Sequence, residues 1–184
     1  MSRLIMWNML SLDGYFEGEK SWDVEWFHPF FNKELEAFSI EQLRSADALL
    51  FGRVTYEGMA AYWQKAEGED AHYMNTLPKV VFSTTLARAD WANTRLVKGG
   101  VEAEALALKQ QGERDLYVFG SGKLCAALLA ARLFDEVRLC MMPLVLGRGA
   151  GLFGRGLSRV PMKLLEARPL ENGCVILRYE PGRG

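Results

Sequence analysis

The chain has 184 residues, of which 49% are hydrophobic and 24% charged, and a formal net charge of −1. That is the make-up of a soluble globular protein long enough for one domain with a sizeable core, residues 1–184. It excludes the basic surface that nucleic acid or an anionic membrane would demand, so phosphate recognition has to come from a few placed groups.

The first residues, MSRLIMWNMLSLDGYF, carry one arginine, and their apolar run is broken by Asn8 and Ser11. Asp13-Gly14 stands where a secretory signal would be cleaved, so no leader is expected. No apolar stretch approaches the length of a membrane span. Cys125, Cys140 and Cys174 are an odd set, widely spaced in apolar surroundings. They read as buried free thiols of a reducing compartment, which places the protein in the cytoplasm.

In chain order, residues 3–10 form an apolar run suited to a buried strand, ended by the turn signal Ser11-Leu12-Asp13-Gly14. Residues 14–30 read as a loop with one short helical turn. Phe31, Leu35, Phe38 and Leu43 recur at helical spacing. Residues 48–52 are a buried strand, and a helix follows from Arg53 to about Trp63. Residues 64–77 are polar and read as a loop. Strands are expected at 79–83 and 94–97, a helix at 101–111 closed by Gly112, and a strand at 116–120. A helix at 121–131 and a long strand at 134–146 come next. The tail, 162–168 and 175–179 about Asn172-Gly173, reads as a hairpin. Strand–helix units with an antiparallel end imply a three-layer α/β domain with a mostly parallel sheet.

Ligands of such sheets bind outside the carboxyl ends of the strands, so the residues after each apolar run carry the functional argument. Gly52 lets a backbone approach a ligand, and Arg53 and Thr55 open a helix whose free amides favour an anion. The plain alternative is a threonine cap with a solvated arginine. Ser83, Thr84 and Thr85 are hydroxyls at the next strand tip, suited to phosphate or ribose oxygens or simply to a turn. Gly120, Ser121, Gly122 and Lys123 could cradle a diphosphate on backbone amides, or make a tight strand-to-helix turn. This run is not a P-loop, because Tyr117 and Leu124 occupy the required glycine and hydroxyl positions. Nor is it a Rossmann fingerprint, because Cys125 stands at the third glycine position. The glycine-dense stretch 143–153, with Arg148, is a flexible connection or a binding loop. Asp13 and Asp23 are the acid candidates, against a turn at Asp13-Gly14 and a helix cap at Asp23. His28 and His72 lack metal-ligand spacing, so no metal site is expected.

Taken together, Ser11-Leu12-Asp13-Gly14-Tyr15, Leu50 to Tyr56, Val81 to Leu86, Val118 to Leu124 and Pro143 to Gly149 resemble the dihydrofolate reductase-like superfamily. Within it the chain is most similar, from about Arg3 to Tyr179, to the C-terminal reductase domain of the bifunctional riboflavin biosynthesis deaminase-reductase. The resemblance implies an NADPH-dependent reductase of a small heterocycle, most like 5-amino-6-(5-phosphoribosylamino)uracil reductase. It implies phosphate contacts from Gly52, Arg53 and Thr55 and adenosine 2′-phosphate contacts from Ser83, Thr84 and Thr85. It also implies a diphosphate seat at Gly120, Ser121, Gly122 and Lys123. Trp22 to Phe27 faintly resembles the helix that carries the substrate carboxylate of dihydrofolate reductases, which makes Asp23 the candidate for substrate bonding or proton delivery. The Pro-Trp pair usual in that first loop is absent, which argues against pterin specificity. The resemblance also implies a homodimer, with strand 134–146 as a contributor. No zinc deaminase signature occurs in the chain, so a role in riboflavin synthesis would need the deaminase on another chain. The alternatives are a dihydrofolate or pterin reductase, and a non-catalytic NADP(H)-binding module.

Overall fold

The computed structural model describes residues 1–153 and 157–182. Its main sheet contains β1 (Leu4–Leu10), β3 (Ala46–Gly52), β4 (Lys79–Phe82), β5 (Thr94–Val97), β6 (Asp115–Phe119), β7 (Glu136–Met141), β9 (Met162–Pro169) and β10 (Val175–Pro181). The strand order is β5-β4-β3-β6-β1-β7-β10-β9. All neighbours from β5 to β7 run parallel, and β10 is antiparallel to both β7 and β9. Among the described residues five α-helices complete the layers: α1 (Lys33–Ser45), α2 (Arg53–Trp63), α3 (Glu69–Thr76), α4 (Val101–Gln111) and α5 (Gly122–Ala130). The three-layer α/β architecture is as expected.

Alternation along the strands sends successive side chains to opposite faces. Ile5, Trp7, Leu49, Phe51 and Tyr117 pack with Leu35 and Phe38 of α1 on one face. Leu4, Met6, Leu50 and Val118 pack with Ala105 of α4 and Leu128 of α5 on the other. Near-continuous apolar runs such as Ala48-Leu49-Leu50-Phe51 are the signature of strands covered on both sides. All three cysteines are buried free thiols. Burial pushes the Cys125 thiol up to about 12, which keeps it protonated and unreactive.

Four expectations need correction. The polar stretch 64–77 contains helix α3, which buries only Ala71 and Met74. Its buried carbonyl end is capped by Lys79, 1% exposed, whose Nζ donates to Met74 O at 2.9 Å and Leu77 O at 2.8 Å and lies 4.6 Å from the Trp91 ring centre. The helix expected from Phe31 begins at Lys33, because the Asn32 side chain accepts from the Leu35 amide at 3.0 Å and caps it. The strand expected to reach residue 146 stops at Met141. Pro143 has no N–H to continue the ladder, and the Leu144 amide turns back onto Met142 O. β7 also lies between β1 and β10, so it has no free edge for pairing with another chain. The outer strand at this side is β9, which exposes Leu164 and Leu165.

The loop 14–30 contains β2 (Tyr15–Glu17) as well as the expected helical turn, a 3-10 segment at Glu25–Phe30. β2 pairs with β8 (Ala150–Gly151) in a small antiparallel sheet. The Asn172-Gly173 turn closes the β9–β10 hairpin as expected, with Gly173 at φ +85°.

At the amino ends of the strands, Glu136 is 3% exposed and is surrounded by arginines. It accepts from Arg138 Nε at 2.7 Å and Arg178 Nε at 2.6 Å. Burial pushes its carboxyl up, but the hydrogen bonds from Arg178 and Arg138 outweigh that and hold it at about 2, against an ordinary 4.5. A depressed carboxyl pKa gives stability that is present above the ordinary value and lost as pH falls toward the folded one. The melting temperature should therefore drop between about pH 4.5 and pH 2, and E136Q should flatten that part of the profile. Replacing Lys79 by Met should cost about 2 kcal/mol in urea unfolding, because buried carbonyls lose their donor.

Candidate functional site

The carboxyl edge of the sheet brings the expected turns together. Gly52 at the tip of β3 is level with Phe82 at the tip of β4, so Ser83 is next to it. β3 and β6 pair Leu50 with Val118, which sets Gly52 beside Gly120. The Gly52 amide donates to Ser121 Oγ at 2.8 Å, and Ser121 Oγ donates to Thr55 Oγ1 at 2.8 Å. Gly120 and Ser121 both adopt the left-handed region, at φ +54° and +57°. For serine that conformation costs about 1–2 kcal/mol, a strain typical of functional turns. A Cβ on Gly52 would come within 2.9 Å of Ser121 Oγ, and one on Gly120 within 2.9 Å of Thr55 Oγ1. The glycines are what lets the two turns touch.

Helices α2 and α5 both start at this cluster, and neither has a side-chain cap. Their first-turn amides are the partners an anion would use. Lys123 is exposed and without an ion-pair partner among the described residues, whereas Arg53 is paired with Glu57 at 2.9 Å. Gly122 packs beneath the small sheet, where a Cβ would meet the Phe16 ring at 3.1 Å and Leu152 O at 3.3 Å. Ser83 Oγ accepts from the amides of Leu86 at 2.9 Å and Thr85 at 3.2 Å, so it builds the turn that presents Thr84 and Thr85 to solvent.

Beside Thr55 and Gly120 opens a small crevice of about 90 Å³. Trp7, Asn8, Phe16, Trp22, Met59 and Phe119 make its walls, and Glu17 is its one carboxylate among the described residues. The Glu17 side chain accepts from the Trp22 amide. Trp22 sits at φ +63°, and its ring lies so close to Gly58 of α2 that any side chain there would strike it.

Asp13 and Asp23 stand outside the crevice lining. The Asp13 carboxylate accepts from the amides of Leu146 at 3.0 Å and Gly147 at 2.8 Å. The Leu146 amide, with the Ser11 hydroxyl, pulls its pKa down to about 2. Asp23 is exposed, with its carboxylate against Gly18. Sequence reasoning missed Glu17, Trp22 and Asn8. Only Asn8 left a signal: a polar residue inside an apolar strand, here 5% exposed with Nδ2 toward Cys125 Sγ.

Uncapped helix starts at neighbouring strand tips beside an apolar crevice mark the carboxyl edge as the place where open α/β sheets bind ligands. The RibD C-terminal domain family matches residues 3–176, and the chain belongs to that family. It is 28% identical over 182 residues to "Uncharacterized protein YyaP" of Bacillus subtilis (strain 168), covering 96% of this chain and 94% of that one. Among solved structures it resembles a "Putative riboflavin biosynthesis protein" from Shewanella sp. PV-4, with TM-score 0.83, 22% identity and 98% and 99% coverage. It also resembles dihydrofolate reductase from Enterococcus faecalis complexed with NADP(H) and RAB-propyl, with TM-score 0.68, 16% identity and 98% and 96% coverage. The fold is therefore dihydrofolate reductase-like, and the family supports a reductase-like role. No helix among the described residues is long and apolar enough to cross a membrane.

The Gly120 geometry makes a direct prediction. Gly120→Ala should lose about 2 kcal/mol in thermal or urea unfolding, from left-handed strain plus the clash with Thr55. Gly151→Ala, whose Cβ would meet nothing within 4 Å, should change stability little.

Proposed function

We propose that the protein is an NADPH-dependent reductase of a small heterocyclic compound, of the 5-amino-6-(5-phosphoribosylamino)uracil type. The observation that carries this reading is the meeting of two uncapped helix starts at Gly52, Thr55, Gly120 and Ser121, beside an apolar crevice. The cradle suits a dinucleotide diphosphate because the glycines leave space and the first-turn amides of α2 and α5 have hydrogens to give. Gly122 and Lys123 extend it, and Lys123 adds a cation. Arg53, Thr84 and Thr85, with Ser83 shaping their turn, favour the phosphorylated adenosine over the plain one.

When bound, the nicotinamide supplies the hydride. The chain's own residues supply position and dryness. Trp7, Trp22 and Phe119 exclude water from the crevice. We assign proton work to Glu17, which lines the crevice. Asp13 and Asp23, the acids singled out from sequence, stand outside it. Asp13 has both oxygens engaged in holding residues 146–147, and Asp23 faces solvent. The fully formed protein would be a homodimer pairing at β9, the exposed outer strand.

The test is a thermal-shift panel with NADPH, NADH, FMN and folate, followed by absorbance at the reduced nicotinamide band with candidate heterocycles. NADPH should raise the melting temperature most, and substrate should consume it. A larger shift with FMN or folate, or none with NADPH, contradicts the reading. Lys123→Ala should weaken NADPH about tenfold and NADH less. Glu17→Gln should cut turnover about a hundredfold while the NADPH shift persists.

A further inference from the structure

The opposite end of the sheet carries a second cavity, about 230 Å³. Its walls come from the amino ends of β6, β7 and β1, the last turn of α1 and the β9–β10 hairpin. The two linings back onto each other where Trp7 of the crevice packs against Phe38 of this cavity, ring centres 5.3 Å apart.

The carboxylates of this region are already engaged. Both Asp115 oxygens accept from Arg3, at 2.9 and 2.6 Å. Glu136 is held by Arg138 and Arg178, and Arg3 approaches it at 3.4 Å. Glu166 accepts from Arg168 Nε at 2.7 Å and Arg178 Nη1 at 3.1 Å. The hydroxyl hydrogens are also accounted for. Ser45 donates to Gln42 O at 2.8 Å, which leaves the Tyr117 hydroxyl to donate to Ser45 at 2.9 Å and to accept from Arg138 at 3.1 Å.

Apart from Glu41 at the mouth, the groups left over are donors. Gln42 is 2% exposed, and its Oε1 accepts from Arg138 Nη1 at 3.2 Å. That contact fixes the orientation of the amide, and its Nε2 is buried with no partner among the described residues. Among the described residues Arg168 uses only Nε, its guanidinium lying 5.1 Å from the Phe38 ring centre, and Arg178 keeps Nη2. Four guanidiniums (Arg3, Arg138, Arg168, Arg178) face three engaged carboxylates. The fourth acid, Glu41, is exposed at the mouth and makes no ion pair among the described residues.

We propose that this cavity is a second binding site, for a small oxyanion: a phosphate or carboxylate group gripped by Arg168, Arg178 and Gln42. A buried amide with unanswered hydrogens calls for an acceptor, and planar guanidinium forks match a two-oxygen group. The occupant would tie α1 to the β9–β10 hairpin, so its binding registers as stability. Glu41 at the mouth competes with it. Nothing in this proposal depends on the cofactor reading, since the two sites lie at opposite strand ends.

The test titrates the full chain with inorganic phosphate and with succinate, against sodium chloride at matched ionic strength, following the melting temperature. A saturable rise with phosphate or succinate, absent with chloride, is expected. It identifies the class of group, phosphate or carboxylate, by which of the two saturates lower. R168Q, a partly exposed position that should still fold, is expected to weaken binding about tenfold, and E41Q to tighten it about threefold. Lys123→Ala, at the other end, should leave the shift intact. No saturable rise overturns the proposal. So does a rise untouched by R168Q, or one abolished by Lys123→Ala, which would place the anion in the crevice. The NADPH shift in R168Q reads the cofactor assignment separately.

Discussion

The hydroxyl of Ser121 is the contact on which the carboxyl edge of this sheet depends. It receives the Gly52 amide and gives its own hydrogen to Thr55, so one side chain fixes two neighbouring strand tips and the two helices that start from them. Both helices already rest on β3, and this contact ties their first turns together where the amides lie. The contact requires two successive left-handed residues, Gly120 and Ser121, and bare glycine at positions 52 and 120. That strain, tolerable only where the surrounding structure enforces it, is what aims two helix starts at one spot.

A second set of contacts builds the wall of the crevice from segments far apart in the chain. Asp13 holds the amides of residues 146 and 147, β2 pairs with β8, and Gly149 passes so close to Glu17 O that a Cβ would strike it. Of that loop's glycines, Gly149 is the one that close passage requires, since Gly147 and Gly151 face open space. The wall sets Phe16 over Gly122 and brings Glu17 into the crevice. Trp22 then packs on Gly58, a mid-helix glycine whose lower helix propensity is explained by the ring it receives.

Much of this was legible from residue patterns, and the exceptions have physical causes. Val118 to Ser121 reads as a buried strand running into a tight turn because apolar runs and glycines carry that information locally. The same holds for Leu49 to Thr55. What a local pattern cannot carry is a hydrogen bond spanning 69 residues, so the Ser121–Gly52 link was invisible. Helix α3 was read as loop because its stripe is only Ala71 and Met74, and its cap comes from a lysine side chain in the following strand. Residues 143–146 look like strand by hydrophobicity, yet Pro143 ends the ladder and Val145 is 66% exposed. Asp13 and Asp23 drew attention as acids, while Glu17, in a segment without period, is the acid that lines the crevice.

Parallel strands give the molecule two chemically different ends, one of free amides and apolar walls, the other of arginines around Glu136. The account stands or falls on the first. A crystal structure of the chain with NADP⁺ tests it most directly. Diphosphate density against the first-turn amides of α2 and α5, beside Ser121, is the predicted result. Diphosphate bound elsewhere, or a carboxyl edge that stays empty at saturating NADP⁺, would contradict it.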